Sequence, residues 1–402
     1  MGLVKTPLCF LILLFCYLLT SKPRNSIFSQ SIHQDTTPMR EVEITGMDVY
    51  RDRDTIHILL EEENATEPPK LLYLVTKDEG RSFSKPKPIP MEFPPVSGHR
   101  GNDPQIAASG NQLIAVWTGR GTGYAGRGKM GVALSLDGGR HWFPGGNPAD
   151  DMDVNSAHGF MDLAYDSGGR CHIVWLDERN GAVGLRAAYS DDGGKNWSAN
   201  RTIDPKTCTC CPNTLLSSGP WLFVLYRMDT PRDTALARSS DRGESWEQLG
   251  SVGDFHWEFQ GCPHWGSGMT LLGSGKEINL FAAVQTGKLG SRGLYVFQSK
   301  NLGRSWSVSR LLSSRGRFID LASCGHALCA AWEESLDKSA QILAAYSLDD
   351  GRSWTTPHRM SDKNIWATHP RVVATRDGFL ILWTEKNDSS QLCWNIVRIN
   401  IQ

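Results

Sequence analysis

Six copies of one short phrase, Ser/Thr-x-Asp-x-Gly-x-x-Trp/Phe, constrain this chain more than anything else in it. They read TKDEGRSF from Thr76, SLDGGRHW from Ser135, SDDGGKNW from Ser190, SSDRGESW from Ser239, SKNLGRSW from Ser299 and SLDDGRSW from Ser347. The starts are 48 to 60 residues apart, and recurrence at such a period marks an architecture of stacked supersecondary units. Each position has a mechanical reason. The Asp, replaced by Asn301 in the fifth copy, can accept hydrogen bonds from amides just downstream. The glycine supplies a positive φ that a side chain resists. The aromatic returns the chain to an apolar interior, so burial is expected to anchor the turn.

Strand-like runs fill the space between copies. Before most boxes come KLLYLV, KMGVAL, GLRAAY, TALARS, GLYVFQ and QILAAY; before these lie TIHILLE, QLIAVW, CHIVWL, WLFVLY, INLFAA and ALCAAW. A third set ends in Gly or Ser turns, as in DPQIAASG and MDLAYDSGG. Short apolar or alternating runs bounded by turn residues predict antiparallel strands, and no window shows a capped helical period. After the sixth box, HPRVVATRDG, FLILWTEK and LCWNIVRI supply three more strands, while MREVEI (Met39 to Ile44) is a spare strand ahead of the first unit. The reading is an all-β propeller of four-stranded antiparallel blades spanning residues 39–402. Seven blades are expected, or six if an end unit is degenerate, with Met39–Ile44 closing the ring against the last strand.

The six phrases resemble Asp-boxes, the repeat of sialidases and related propellers, over residues from about 40 to the C-terminus. The resemblance implies that the boxes lie at the blade periphery, away from the active site. It implies a carbohydrate ligand, sialylated or otherwise acidic, and no cofactor. It also implies a chemistry: three arginines that clamp the sugar carboxylate, a tyrosine made nucleophilic by a glutamate, and an aspartate serving as acid and base. Family members carry a Phe/Tyr-Arg-Ile-Pro phrase upstream of the first box, and here the only near approach is DVYRDRD.

In a propeller the first strand of each blade lines the channel, and polar residues cluster just before or within those strands. They are His99, Arg100 and Asp103, His158 and Asp162, Cys211 and Asn213, His264, Arg317 and Asp320, and His369 and Arg371. Arg100, Arg232 and Arg371 are nominated as the carboxylate clamp, with Asp103 as acid or base. Tyr226 and Glu258 are nominated as nucleophile and partner. Arg232 and Asp233, in the dense stretch YRMDTPRD, are either functional or a structural ion pair. His158, Asp162, His264, Arg317, Asp320 and His369 are candidate ligand-binding residues. Two readings follow: an exported exo-glycosidase of sialidase type, or a non-catalytic propeller binding glycan, protein or metal at the channel mouth.

The leader MGLVKTPLCFLILLFCYLLTSKPR carries Lys5 and an apolar core from Pro7 to Leu19, too short to span a bilayer comfortably. Residues 1–30 therefore read as a signal peptide with a short linker, or as an uncleaved membrane anchor, since Lys22 and Arg24 follow the core without an A-x-A-like site. Either places the chain outside the cytoplasm: secreted, periplasmic or attached to the cell envelope. A formal net charge of -1 excludes a global field for nucleic acid, and a monomer is expected. Ten cysteines include Cys9 and Cys16 in the leader. Cys208, Cys210 and Cys211 precede the first strand of the fourth unit, and Cys262 with His264 precede that of the fifth, so adjacent blades should bring them together. Disulfides, with one joining Cys262 to the CTCC segment, are preferred here over a metal site. Cys324 and Cys329 flank a turn and are expected to form a local bridge.

Overall fold

The computed structural model of the chain describes residues 27–31 and 42–399, apart from residues 97, 99, 152–155, 274–277, 308–309, 337–338 and 388. The expected leader, and Met39 to Glu41 of the expected closing strand, lie outside the described residues. The molecule is a β-propeller of four-stranded antiparallel blades. Five blades are separate sheets: blade I over residues 43–88, II over 105–144, III over 158–204, IV over 214–251 and V over 268–313. The remaining strands form one eight-stranded sheet over residues 316–399 and Ile27–Ser31. The expectation of seven or six separate blades is thus corrected to five. The physical reason is a single parallel bridge, Ala340 to Trp366, that fuses strands otherwise arranged as antiparallel neighbours.

Within each blade the strands run outward in sequence order from the channel, as hairpin connections require. Second and third strands are buried along nearly their whole length, as in Trp221–Arg227 and Thr234–Ser239. Both faces of each sheet are covered by neighbours, so these strands read as continuous apolar runs rather than alternating ones. The hydrophobic clusters lie between successive sheets. One joins Val174, Leu176 and Leu185 of blade III to Leu222 and Val224 of blade IV. Another joins Ile56, Ile58 and Leu60 of blade I to Leu380, Leu382 and Trp394 of the last strands.

Met39–Ile44 was expected against the last strand, but Glu43 and Ile44 belong instead to the innermost strand of blade I, Glu43–Asp52, paired with Thr55–Glu63. Ile27–Ser31 is the segment that runs antiparallel to Ser390–Ile399, with Ile27 opposite Ile399 and Ser31 opposite Asn395.

The boxes repeat atom for atom. Ser135 Oγ accepts from Gly139 N at 2.9 Å, and Asp137 Oδ1 accepts from His141 N at 2.9 Å. The same pair of bonds closes at Ser190 and Asp192, and again at Ser347 and Asp349. Gly303 shows why glycine is needed: its φ is +86°, and an added Cβ would stand 2.1 Å from Leu236 Cδ2. The box aromatics pack against the hydrophobic clusters, as expected of anchors, but are only half-buried. The fully buried tryptophans are those of second strands: Trp117, Trp175, Trp332 and Trp383. Three of these donate their indole N–H to an acid two residues on: Trp175 to Asp177, Trp332 to Glu334 and Trp383 to Glu385.

Candidate functional site

Third strands carry the chain toward the boxes, so the starts of first and third strands lie at the opposite end of the blades. The polar residues singled out in the sequence gather at that end or in the channel beneath it. The channel encloses a cavity of about 360 Å³ lined by residues of the inner strands, among them Asp48, Asp162, Asp320 and Arg371.

Three of these carboxylates join one inner strand to the next. Asp48 Oδ2 accepts from Ile106 N at 2.9 Å, Asp162 Oδ2 from Leu215 N at 2.6 Å, and Asp320 Oδ2 from Val372 N at 2.8 Å. The strands of Asp162 and Asp320 are prepared for this by a bulge, where Phe160 and Phe318 take positive φ values of 52° and 50° and the register shifts. The strand of Arg371 carries the same bulge at His369, with φ 56°. The extra residue re-aims the side chain two places on. Asp162 and Asp320, expected to bind ligand, therefore bind the neighbouring strand. Burial first, then the charge of Asp48, pushes the Asp162 carboxyl up to about 8. Arg371 sits among the acids, 3.5 Å from Asp48 and 3.8 Å from Asp103. Burial works against its charge, but Asp103, Asp48, Asp320 and Asp162 together hold its pKa above the ordinary value.

At the channel mouth Asp103 Oδ2 lies 3.9 Å from Arg100 and 3.8 Å from Arg371, and Oδ1 lies 3.4 Å from His369 Nε2. Two of the three nominated clamp arginines thus converge on Asp103. His369 is buried, and that burial, then Arg100 and Arg371, holds its ring well below the ordinary histidine value. Its Nδ1 lies 2.9 Å from Thr384 Oγ1 and its Nε2 3.2 Å from Thr45 O. A neutral, fully partnered ring at this position is a structural element. Arg100 also reaches Glu333 at 3.0 Å, and Arg317 reaches the same carboxylate at 2.7 Å. The Arg100 guanidinium lies 4.0 Å over the Phe318 ring.

The other nominations are not brought to this point. Arg232 pairs with Asp229 at 3.4 Å and does not line the channel. Asp233 accepts from His256 N at 2.6 Å and Trp257 N at 3.0 Å, which makes it the anchor of that loop. Tyr226 is buried among apolar side chains of blades III and IV. Burial, then Asp204, raises its hydroxyl pKa, and the hydroxyl meets Asp204, not the exposed Glu258. The expected Tyr226–Glu258 pair is corrected on that ground. His158 Nε2 lies 2.9 Å from Asp151 and 3.6 Å from Asp177. Arg179 pairs with Asp177 at 2.7 Å and lies 3.7 Å from Asp151, so these four residues form one polar network.

The cysteines meet as expected but not by the expected bond. No disulfide joins the eight described cysteines. Cys262 Sγ faces Thr209 Oγ1 at 3.5 Å. Cys324 Sγ points at Thr375 O, 3.5 Å away, while Cys329 is buried in an apolar cluster, so the local bridge is not formed.

Sequence reasoning passed over a second concavity at the same end. A cleft of about 420 Å³ is bordered by Trp265, Arg292, Arg315 and Arg317. Trp265 stacks on Trp257 at 5.2 Å, and Trp257 on Phe259 at 5.2 Å. Arg292 and Arg315 are exposed. A search for arginines just ahead of strand starts would have found both, since they precede the third strand of blade V and the strand Gly316–Cys324.

The fold is a sialidase-like β-propeller carrying Asp-box repeats. The family described as BNR/Asp-box repeat matches residues 188–199. The fold is similar to that of a protein of unknown function from Dyadobacter fermentans, with a TM-score of 0.51 at 11% identity, covering 94% of this chain and 100% of that one. It is similar to the polysaccharide lyase Uly1, with a TM-score of 0.53 at 9% identity and 89% of each chain covered. It is also similar to the Trypanosoma rangeli sialidase in complex with sialic acid, with a TM-score of 0.51 at 12% identity over 81% of this chain and 59% of that one. A comparison with curated protein sequences finds no match.

Proposed function

We propose that this chain is an exported sialidase-like propeller that binds a carboxylate-bearing sugar on the face opposite the boxes. One observation carries the reading: Arg292, Arg315 and Arg317 border a single cleft with Trp265, whose ring is held in place by stacking on Trp257. Guanidinium forks match carboxylate geometry, and a flat aromatic face suits the apolar side of a sugar ring. Only Arg317 is neutralised, by Glu333; no ion pair to Arg292 or Arg315 occurs among the described residues. The fold shared with a sialidase bound to sialic acid makes a sialoside the first ligand to try.

The second reading is hydrolysis at the channel mouth, and Asp103 between Arg100 and Arg371 supports it. Calorimetric titration with sialyllactose and with lactose, beside turnover of a fluorogenic sialoside, separates the two readings. Binding of the sialylated ligand alone, lost in Arg315→Ala, supports the first; turnover lost in Asp103→Asn supports the second. Failure of both sugars to bind overturns the carbohydrate reading. We infer further that an N-terminal strand closes the ring. The antiparallel register of Ile27–Ser31 against Asn395–Ile399 supports this. Export rests on the apolar leader, and a tagged full chain found only in the cytoplasm would contradict it.

A further inference from the structure

Four cysteines and a histidine crowd the heads of blades IV and V, and the sugar-binding reading uses none of them. Cys208 Sγ lies 3.6 Å from Cys210 Sγ and 3.6 Å from Cys211 Sγ. All three residues are buried. A disulfide would hold its sulphurs at about 2.05 Å. Two thiolates bound at about 2.3 Å to one tetrahedral ion stand about 3.8 Å apart. The observed separations match ligands that share an ion. The ligand atoms of Cys210, Cys262 and His264 form a second group, all within 4.8 Å of one another, so Cys210 belongs to both.

The surroundings fit a buried anionic cluster. Cys208 N donates to Arg227 O at 2.9 Å, which ties the Cys-x-Cys-Cys turn to the end of a second strand. Arg127 donates to Thr209 O at 3.3 Å within the same turn. Three thiolates around a monovalent or divalent ion keep a net negative charge, and the Arg127 guanidinium held within the turn offsets part of it. Sulphur ligands select thiophilic closed-shell ions over calcium or magnesium.

We propose that Cys208, Cys210 and Cys211 bind one thiophilic d10 cation, Zn²⁺ or Cu(I), with Cys262 or His264 completing its coordination from the head of blade V. The ion would pin the segment carrying Cys262 and His264 against blade IV, and with it Trp265, the aromatic wall of the cleft. This site does not depend on the sugar-binding reading.

The test uses the full chain purified under reducing conditions without chelator. Elemental analysis is expected to find a stoichiometric equivalent of zinc or copper. Stripped protein should take up Co²⁺ with sulphur-to-metal charge-transfer absorption. Titration with Zn²⁺ alone and with anaerobic Cu(I) alone then identifies the ion by which displaces cobalt at the lower concentration. Cys208→Ser and Cys211→Ser should each lose metal affinity by at least about tenfold, while Cys324→Ser retains it. If the buried variants fail to fold, Cys262→Ser at the half-buried position and the cobalt spectrum of the unaltered chain decide. A folded wild-type chain that takes up none of the three ions overturns the proposal. So does a non-reduced peptide map that links Cys262 to the Cys208–Cys211 segment.

Discussion

On the box face, Ser190, Asp192 and Gly194 satisfy one another within a single turn, and the same bonds recur in the other copies. On the opposite face, Arg100 reaches Glu333 across 233 residues of sequence, and Arg371 answers to Asp48, Asp162 and Asp320 from separate strands and to Asp103 from a loop. The box face is built from local contacts copied around the ring. The opposite face adds long-range contacts, such as Arg100 to Glu333 and Arg371 to Asp48, to the features that its blades share. Repetition stabilises the scaffold; departure from repetition leaves charged groups whose partners a ligand can replace. Substitutions on the first face should therefore cost stability and spare binding, and those on the second should do the reverse.

The largest effect is expected from the sheet in which Ile27–Ser31 pairs with Ser390–Ile399. Removing residues 1–31 leaves Ser390–Ile399 with an open edge, and the melting temperature should fall further than for any single substitution below. An unchanged melting curve would refute closure by Ile27–Ser31. Next, Trp332→Ala should cost about 3–5 kcal/mol, since the indole is fully buried and its loss leaves a cavity. The half-buried box residue Trp354 should cost clearly less, at about 1–2 kcal/mol, when changed to Ala. Chemical denaturation measures both, and equal costs would erase the distinction between second-strand and box tryptophans. Gly303→Ala, forced against Leu236, should cost about 2–3 kcal/mol with sialoside affinity intact.

Arg315→Ala tests the other face. Stability should stay within about 0.5 kcal/mol of the parent, while affinity for an acidic sugar falls at least about tenfold. A variant that loses stability and keeps affinity would invert the comparison. The last effect is a pH slope. Burial first, then Asp103 for Glu61 and Asp48 for Asp162, holds both carboxyls up to about 8. The unfolded chain releases those protons near pH 4, so the folded state binds more protons between the two limits, and stability must fall as pH rises through that range. His57, lowered to about 4 chiefly by burial, opposes this only below its ordinary 6.5. The melting temperature should therefore decline from pH 6.5 to 8, and Glu61→Gln with Asp162→Asn should flatten the slope. A rise over that window would show that these two groups are ionised in the folded chain.

The fold was legible because its signals are local. A turn that needs Ser, Asp and Gly at fixed offsets declares itself in each copy, and strands covered on both faces read as apolar runs. The merging of the last strands was not legible, because one backbone bridge between Ala340 and Trp366 carries no side-chain signature. The site was half legible. Polar residues at strand starts could be recognised as channel-facing, and Arg100, Asp103 and Arg371 do converge. The roles of Asp162 and Asp320 were not, since an aspartate that bonds the next strand's amide looks in sequence like one that awaits a ligand.

By itself, then, the sequence determined the repeat, the turn chemistry, the all-β class and the meeting of Cys208–Cys211 with Cys262, since each follows from spacing and local stereochemistry. Only the tertiary structure decided which charges face each other. It buried Tyr226 against Asp204, set Asp233 to cap the 256–257 amides, and drew Arg292, Arg315 and Arg317 to one cleft. Those outcomes depend on the angle between neighbouring sheets and on the bulges at Phe160, Phe318 and His369. Ion pairing falls off within a few ångströms, so shifts of that size, invisible in residue order, choose the partners.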